Sequence, residues 1–403
     1  MTSSSCVACI LAFMCTAAMV TAATTKQPLT RGRNVLVFGG NGFLGADTVE
    51  HFIRNGDNVT MVNRGNWYWD SFNRIKPYVR HISCDRKNGI ASCDDLVQLV
   101  NETTQFDAVI DFSAYDEKET KDSGVLLRGK VKIYILISSD SIYDVCDKTH
   151  DAKTKEKDAI RPEDVDEWNR LVIVHDYGHR KLRAEEELVG QRHLDGGYPY
   201  VILRLPDVIG PRDSTYRWWM YQLWIKLEKG LPSKPLTIPH FLVDYHMSLV
   251  YSKDVAKLLF ELLQMGDEIR DEAFNVAYDS TWTLEELLRA IGKSLAMDEL
   301  VIAEEKDHTK SLYLYPSVRR GPINVSKAKE VLGWEPTPFD EAVEEIVTFY
   351  EDAMTGETFY IQKDEVIQSF VHRLYAENRN EFYDAVEKVY NISLQHFRPK
   401  DEL

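Results

Sequence analysis

Tyr177 and Lys181 stand four residues apart in the run Tyr177-Gly178-His179-Arg180-Lys181. On a helix that spacing puts both side chains on one face, about 5–6 Å apart at Cβ. An ammonium held there favours the phenolate of a group that otherwise titrates at about 10, and makes it a usable proton donor or acceptor for an alcohol/carbonyl pair. Such a pair is frequent by chance, and its place in the chain gives it meaning. It follows the apolar run Val131–Ser138, which ends in Ser139, where a strand-end hydroxyl offers a substrate oxygen its second hydrogen bond. Far upstream, Val35-Leu36-Val37-Phe38 breaks into Gly39, Gly42 and Gly45 at three-residue spacing, and a helical pattern follows. Glycines so placed allow a sharp strand-to-helix turn, close backbone approach to a pyrophosphate and tight helix–strand packing.

The elements that must position these residues alternate. Asn34–Phe38, Val59–Asn63, Phe106–Phe112, Val131–Ser138 and Val201–Leu205 read as strands. The intervening segments read as amphipathic helices; the first carries Val49, Phe52 and Ile53 on one face and stops at Asn55-Gly56. That order predicts an α/β fold, a Rossmann-type doubly wound parallel sheet. The boundaries expected are a signal peptide at 1–24, a dinucleotide-binding domain at 33–205, a smaller substrate-binding lobe at 206–350, and a helical extension at 351–403. The charged stretch from Asp144 to His175 shows no apolar periodicity before Trp168 and reads as a solvated loop or a flap over the site. In the lobe, Tyr216–Trp224 is a strongly aromatic helix whose rings are expected mainly to pack, one of them at most meeting substrate. In the extension, Val366, Phe370, Val371 and Leu374 share one helical face, and Phe382, Val386 and Val389 another.

Taken together, the glycine turn, Ser138–Tyr143 and the Tyr177/Lys181 pair resemble the extended short-chain dehydrogenase/reductase family, in its nucleotide-sugar epimerase/dehydratase-like branch. Leu203–Arg212, Val250–Ala256, Phe274-Asn275-Val276 and Ser326–Trp334 extend the likeness over residues 34–350. The flavour is that of atypical members related to chloroplast stem-loop-binding proteins and bacterial oxidoreductases. The resemblance implies that Tyr177 is the general acid/base, that Lys181 binds the nicotinamide ribose and tunes Tyr177, and that Ser139 bonds the reacting oxygen. It places Gly39, Gly42, Phe43, Leu44 and Gly45 at the cofactor pyrophosphate and Asp85 at the adenine, and it suggests a homodimer through the helices flanking Tyr177. The second strand ends in Asn63-Arg64 without the acidic residue that would hold an NAD ribose, which points to NADP, with NAD as the alternative. Ser139-Asp140-Ser141 lacks the glutamate of the family's sugar dehydratases, and Asp207 replaces an asparagine common in the substrate segment.

A net charge of −16 without a basic block argues against a nucleic-acid partner. Val7–Ala23 is short, apolar and rich in small residues, as in a secretory signal rather than a membrane span, and Lys400-Asp401-Glu402-Leu403 is a retention address read by its receptor. The expected location is the lumen of the endoplasmic reticulum. There Cys84, Cys93 and Cys146 would form one disulfide, Cys84–Cys93 by proximity, and leave one thiol. Of the sequons, Asn101 and Asn391 are better placed for glycosylation than Asn58 or Asn324. His175 and His179 have zinc-compatible spacing but no third ligand, so no metal site is expected. The leading expectation is a lumenal oxidoreductase moving a hydride between a nicotinamide and a small-molecule carbonyl or alcohol, either a sugar nucleotide or a lipophilic carbonyl compound. The alternatives are a nucleotide-sugar epimerase with tightly held NAD and a non-catalytic NADP-binding scaffold.

Overall fold

The computed structural model describes residues 32–307, 311–318 and 320–398; the segment expected to be a signal peptide and the last four residues, expected to be a retention address, lie outside them. Apolar runs buried on both faces form seven parallel strands: β1 (Asn34–Phe38), β2 (Asn58–Asn63), β3 (Arg80–Ser83), β4 (Ala108–Asp111), β5 (Tyr134–Ser139), β6 (Tyr200–Leu205) and β10 (Glu272–Asn275). Their order is β10-β6-β5-β4-β1-β2-β3. β1 therefore pairs with β2 on one side and β4 on the other, Val35 opposite both Val59 and Ala108. The chain winds outward in both directions from that point, which opens a crevice at the carboxyl ends of β1 and β4.

Strand pleating sorts the apolar side chains into two cores. Val35, Val37, Ile135, Ile137, Val201 and Leu203 face one side, and Leu36, Phe38, Tyr134, Leu136 and Ile202 the other. Between the strands run α1 (Phe43–Arg54), the single-turn α2 (Ser71–Arg74), α3 (Asp94–Glu102), α4 (Glu117–Leu126), α5 (Val165–Val174) and α6 (Asp176–Gln191). Cys84, just after β3, and Cys93, just before α3, form a disulfide, and Cys146 is buried as a free thiol.

The predicted boundary at 205/206 does not divide the chain. After β6 come β7 (Asp207–Ile209), α7 (Arg217–Leu227), β8 (Thr237–Pro239) and β9 (Leu249–Tyr251). The chain then returns: α8 (Ser252–Leu262) joins the core of Val35 and Val37, and β10 pairs with β6. After α9 (Leu284–Ser294) and β11 (Ala303–Glu305), α10 (Ser326–Leu332) also returns, placing Ala328 and Leu332 in that same core. β10 escaped sequence reading because it is four residues long, with an exposed Glu272 and a polar Asn275, too short to show a period.

The C-terminal helices are likewise not an appendage. α11 (Phe339–Thr355), α12 (Tyr360–Phe370) and α13 (Arg379–Tyr390) share one core with α7 and α9. Trp218, Trp219, Tyr221 and Trp224 of α7 are fully buried there. Trp219 stacks on Tyr350 with centroids 5.1 Å apart, and Gln222 donates to the Val347 carbonyl at 3.0 Å. Full burial of each such ring is worth roughly 2–3 kcal/mol, so 351–390 stabilise the lobe rather than trail from it. Val366, Phe370, Leu374, Phe382 and Val386 are buried as expected; Val371 is only partly buried and Val389 is 40% exposed.

The charged stretch 144–175 is more ordered than a solvated loop. Its Thr154 bridges Ile323, the Glu156 carbonyl accepts from Arg204, and α5 occupies its second half. Asn58, the first residue of β2 and expected to be a weaker sequon, is itself exposed, as are Asn101 and Asn391.

Candidate active site

β1 ends in a turn that only glycine fits at three points. Gly39 and Gly40 hold φ of +93° and +79°. A Cβ on Gly45 would stand 2.8 Å from the Gly40 Cα and 2.9 Å from its nitrogen, so backbone would meet backbone. Gly40 was overlooked in favour of the regular three-residue spacing, yet its own Cβ would press Val37 and Val49 at 2.9 Å. The turn delivers Gly42 as the N-cap of α1 with no side-chain hydrogen bond to the first N–H groups, which leaves them for an anion.

This turn, Asn63, Arg64, Asp85, Ser139, Tyr177 and Lys181 all line one cavity of about 1000 Å³ at the carboxyl edge of the sheet. Every residue singled out for cofactor or catalysis is among its walls, Phe43 and Leu44 included. Two distant parts meet there because of Gly178, whose Cβ would lie 2.1 Å from the Ser141 carbonyl oxygen. Without a side chain at 178, α6 comes down onto the turn after β5 and sets Tyr177 beside Ser139 and Ser141, whose hydroxyls are 2.9 Å apart. The neighbouring Tyr-Gly pair was a readable signal for this close approach.

The electrostatics differ from the expectation drawn from spacing. Lys181 is buried and donates to the Ala114 and Ile137 carbonyls at 2.9 and 2.8 Å. Burial lowers it to about 8, against the opposing pull of Asp111, Glu185 and Glu119. Tyr177 is half-exposed, and burial, then Tyr115 and Asp140, raise it to about 12; among side chains only Arg180 draws it down. Lys181 therefore does not activate the phenol in this state, because its ammonium is held by two carbonyls instead. Asp140 is buried and lifted well above the carboxylate range by desolvation, then by Asp207 and Asp144.

On the cofactor wall, Asn63 Oδ1 accepts from the Gly65 N–H at 2.7 Å and faces His81 Nε2 at 3.1 Å. Its Nδ2 is buried without a partner, and Arg64 beside it is exposed, with no hydrogen bond or ion pair among the described residues. Asp85 caps the next turn through the Lys87 N–H at 3.1 Å. Behind it, sequence reading missed a buried pair. Arg86 Nη1 donates to both Asp111 oxygens at 2.7 and 2.8 Å, and Nη2 to the Glu119 carbonyl and Ser123. Asp111 also accepts from the Ser113 and Ala114 N–H groups at 2.9 Å and from Tyr134. Removing one partner of such a pair costs about 3–5 kcal/mol; the strand-end aspartate of Phe106–Phe112 was the available clue.

The substrate end is walled by Pro206, Asp207, Asp213, Thr215, Arg217 and Ser317. Asp207 accepts from Arg217 Nη1 at 2.5 Å and from the Ser317 N–H and hydroxyl at 2.8 and 2.5 Å. Of the aromatic helix only Arg217 reaches the cavity; its rings are core. His175 approaches Asp144 at 3.7 Å while His179 faces Arg161 at 3.1 Å, so the two histidines serve different partners.

A glycine turn feeding a helix N-terminus, with a Tyr/Lys helix across the cavity, defines a nicotinamide-dependent enzyme on a Rossmann-type sheet. The profile of the NAD dependent epimerase/dehydratase family matches residues 35–277. The chain belongs to that family and is an enzyme of the extended short-chain dehydrogenase type. Among curated proteins, the low-salt glycan biosynthesis protein Agl12 of Haloferax volcanii is 23% identical over 344 residues, spanning 79% of this chain and 98% of that protein. The fold is shared with UDP-glucose 4-epimerase of Thermotoga maritima, solved with UDP-glucose, at TM-score 0.61 and 20% identity over 80% of this chain and 99% of that one. It is shared too with dTDP-glucose 4,6-dehydratase of Bacillus anthracis, solved with NAD, at TM-score 0.58 and 17% identity over 80% and 97%.

Proposed function

We propose that this chain is an NADP-linked oxidoreductase of the endoplasmic-reticulum lumen acting on a hydroxyl-bearing carbon of a sugar. The observation that carries the chemistry is the meeting of Ser139, Tyr177 and Lys181 with the Gly39–Gly45 turn in one cavity. The cavity suits a dinucleotide: backbone N–H groups at the turn for phosphates, and an unpartnered buried amide for a ribose substituent. When bound, the nicotinamide accepts a hydride from the carbinol carbon or returns one to a carbonyl. Tyr177 Oη takes the hydroxyl proton in one direction and gives it back in the other, with Ser139 Oγ holding the same oxygen. Lys181 would turn from one of its two carbonyls to a ribose hydroxyl, which brings its charge to bear on Tyr177 only in the loaded enzyme.

NADP over NAD is supported by the donors at the end of β2, Asn63 Nδ2 and Arg64, unpaired among the described residues, with no carboxylate between them. A sugar is favoured over a lipophilic carbonyl compound because the substrate end is lined by hydroxyls and charge while the rings of α7 are core. The glycan-biosynthesis name of the Haloferax relative agrees with that. The lumenal reading rests on Val7–Ala23 and Lys400–Leu403, and the Cys84–Cys93 disulfide supports it, since such bonds persist in oxidising compartments. Exposed Asn101 and Asn391 would then carry glycans. Tyr177→Phe is expected to lower turnover about 10²–10⁴-fold while leaving NADPH fluorescence titrations unchanged; retained turnover refutes the mechanism. The second reading is epimerisation, favoured by the family match. It requires nicotinamide that stays with the protein through purification, and a cofactor-free preparation rules it out.

A further inference from the structure

The charges of the cavity are not spread evenly. Arg64 and Lys87 line its cofactor end. At the substrate end the half-buried Arg217 is the cation among the described wall residues, and carboxylates meet it on two sides: Asp207 at 2.5 Å and Asp213 at 3.9 Å. Its Nε also donates to the Thr215 hydroxyl at 3.1 Å, and the Tyr315 ring lies 4.6 Å from the guanidinium. Asp207 is only 5% exposed and is fixed further by both donors of Ser317. Two carboxylates thus surround one guanidinium in a wall of hydroxyls. Arg180 lies at the rim, exposed and paired with Asp176 at 2.9 Å.

A nucleoside-diphosphate sugar brings two phosphate charges to whatever lies beyond its sugar. With the reacting carbon at Tyr177 and Ser139, the remainder of the substrate extends along Asp207, Arg217 and Ser317. A diphosphate there would have to share Arg217 with Asp207 and Asp213 and would set its oxygens against the buried Asp207 carboxylate, which is unfavourable on both counts. Hydroxyl groups meet no such conflict: they donate to Asp207 and to the Thr215 and Ser317 hydroxyl oxygens. We infer that Asp207, by holding Arg217, sets the substrate class, selecting a sugar without a diphosphate, free or glycosidically linked, over a sugar nucleotide. The inference rests on the oxidoreductase reading above and goes beyond it, since the family resemblance alone favours a sugar nucleotide.

The test is calorimetric titration of the NADP-loaded full-length enzyme with UDP-glucose, UDP, glucose and methyl glucoside. UDP-glucose is expected to bind no more tightly than methyl glucoside, and glucose against methyl glucoside tells a free sugar from a linked one. Asp207→Asn releases Arg217 and should tighten UDP by about tenfold or more at low salt, with NADP affinity unchanged. Wild-type enzyme that binds UDP-glucose more tightly than methyl glucoside overturns the assignment, as does a folded Asp207→Asn with unaltered UDP affinity. Should that variant not fold, the wild-type comparison decides alone. Failure of the wild type to bind NADPH or NADH removes the oxidoreductase reading itself. Tight UDP-glucose binding by an enzyme that still loads cofactor removes only the role of Asp207.

Discussion

The two ends of the cavity are built on different plans. The cofactor end is made from backbone: a glycine turn with φ values closed to other residues, a bare helix N-terminus, and a wall braced by the Arg86–Asp111 pair. Its donors Asn63 Nδ2 and Arg64 have no hydrogen-bond or ion-pair partner among the described residues. The substrate end is made from side chains that already satisfy one another, with Asp207, Arg217, Ser317, Asp213 and Thr215 closed into a network. One end waits for charge and the other has cancelled its own. Binding energy for an anionic ligand is available at the first and must be taken from internal ion pairs at the second.

The change that should break this contrast most completely is Gly45→Ala. The added Cβ meets Gly40 main chain at 2.8–2.9 Å, and a backbone contact has no rotamer with which to yield. Overpacking of this kind costs about 1–3 kcal/mol of stability, and a shifted turn should weaken NADPH binding by roughly 100-fold, since positioning of the phosphate-binding amides is lost. Denaturant melts and NADPH titrations read the two effects separately. Because the substrate network contains no part of that turn, an Asp207→Asn variant should leave NADPH affinity where it was; a shared loss would show the two ends to be one unit.

Removing the disulfide sharpens the contrast at the next level. Cys84–Cys93 closes a short loop that carries Asp85, Arg86 and Lys87 along the cofactor wall. Cys84→Ser with Cys93→Ser is expected to cost about 2–3 kcal/mol in thermal or chemical unfolding, by freeing the unfolded chain. NADPH affinity should fall with it, and UDP or sugar affinity should not. A smaller effect is expected from Arg64→Ala, about tenfold in NADPH affinity with NADH unchanged, because one charge-assisted contact to phosphate is lost.

What could be read from the chain follows the same division. Gly39–Gly45, Ser139, Tyr177 and Lys181 are legible because their chemistry needs particular residue types at fixed local spacing, and all of them line the cavity. Gly178 and Gly40 stood in plain view but act through contacts with Ser141, Val37 and Val49 that only the fold creates. Ser317 is 110 residues from Asp207, and no local pattern announces their bond. The aromatic stretch of α7 was legible as packing, and the fold shows why: a helix that is apolar all round is one buried on every side, and α9, α11, α12 and α13 supply those sides. The return of the chain to the sheet at β10 was hidden by shortness alone.

The last expected effect is read as a slope with pH and concerns Lys181, which lies where catalysis and stability meet. Burial holds it at about 8 in the folded protein, against about 10.4 in an unfolded chain. Below pH 8 the group is charged in both states, and the folded state bears the whole penalty of that charge. Between about pH 8 and 10.4 the unfolded chain binds the extra proton, so cofactor-free stability should rise with pH from this group alone. Its slope has an upper limit of about 1.4 kcal/mol per pH unit. Tyrosines titrate in the same range, so the quantity to measure is the difference between wild type and Lys181→Met in denaturant melts from pH 7 to 10. The wild type should gain on the variant as pH rises. Bound NADPH should reduce that gain, because ribose hydroxyls and phosphates favour the charged ammonium and raise its pKa. A difference that is flat in pH, or that falls, would mean that burial does not lower Lys181 and that it stays an ordinary charged lysine in the cofactor-free protein.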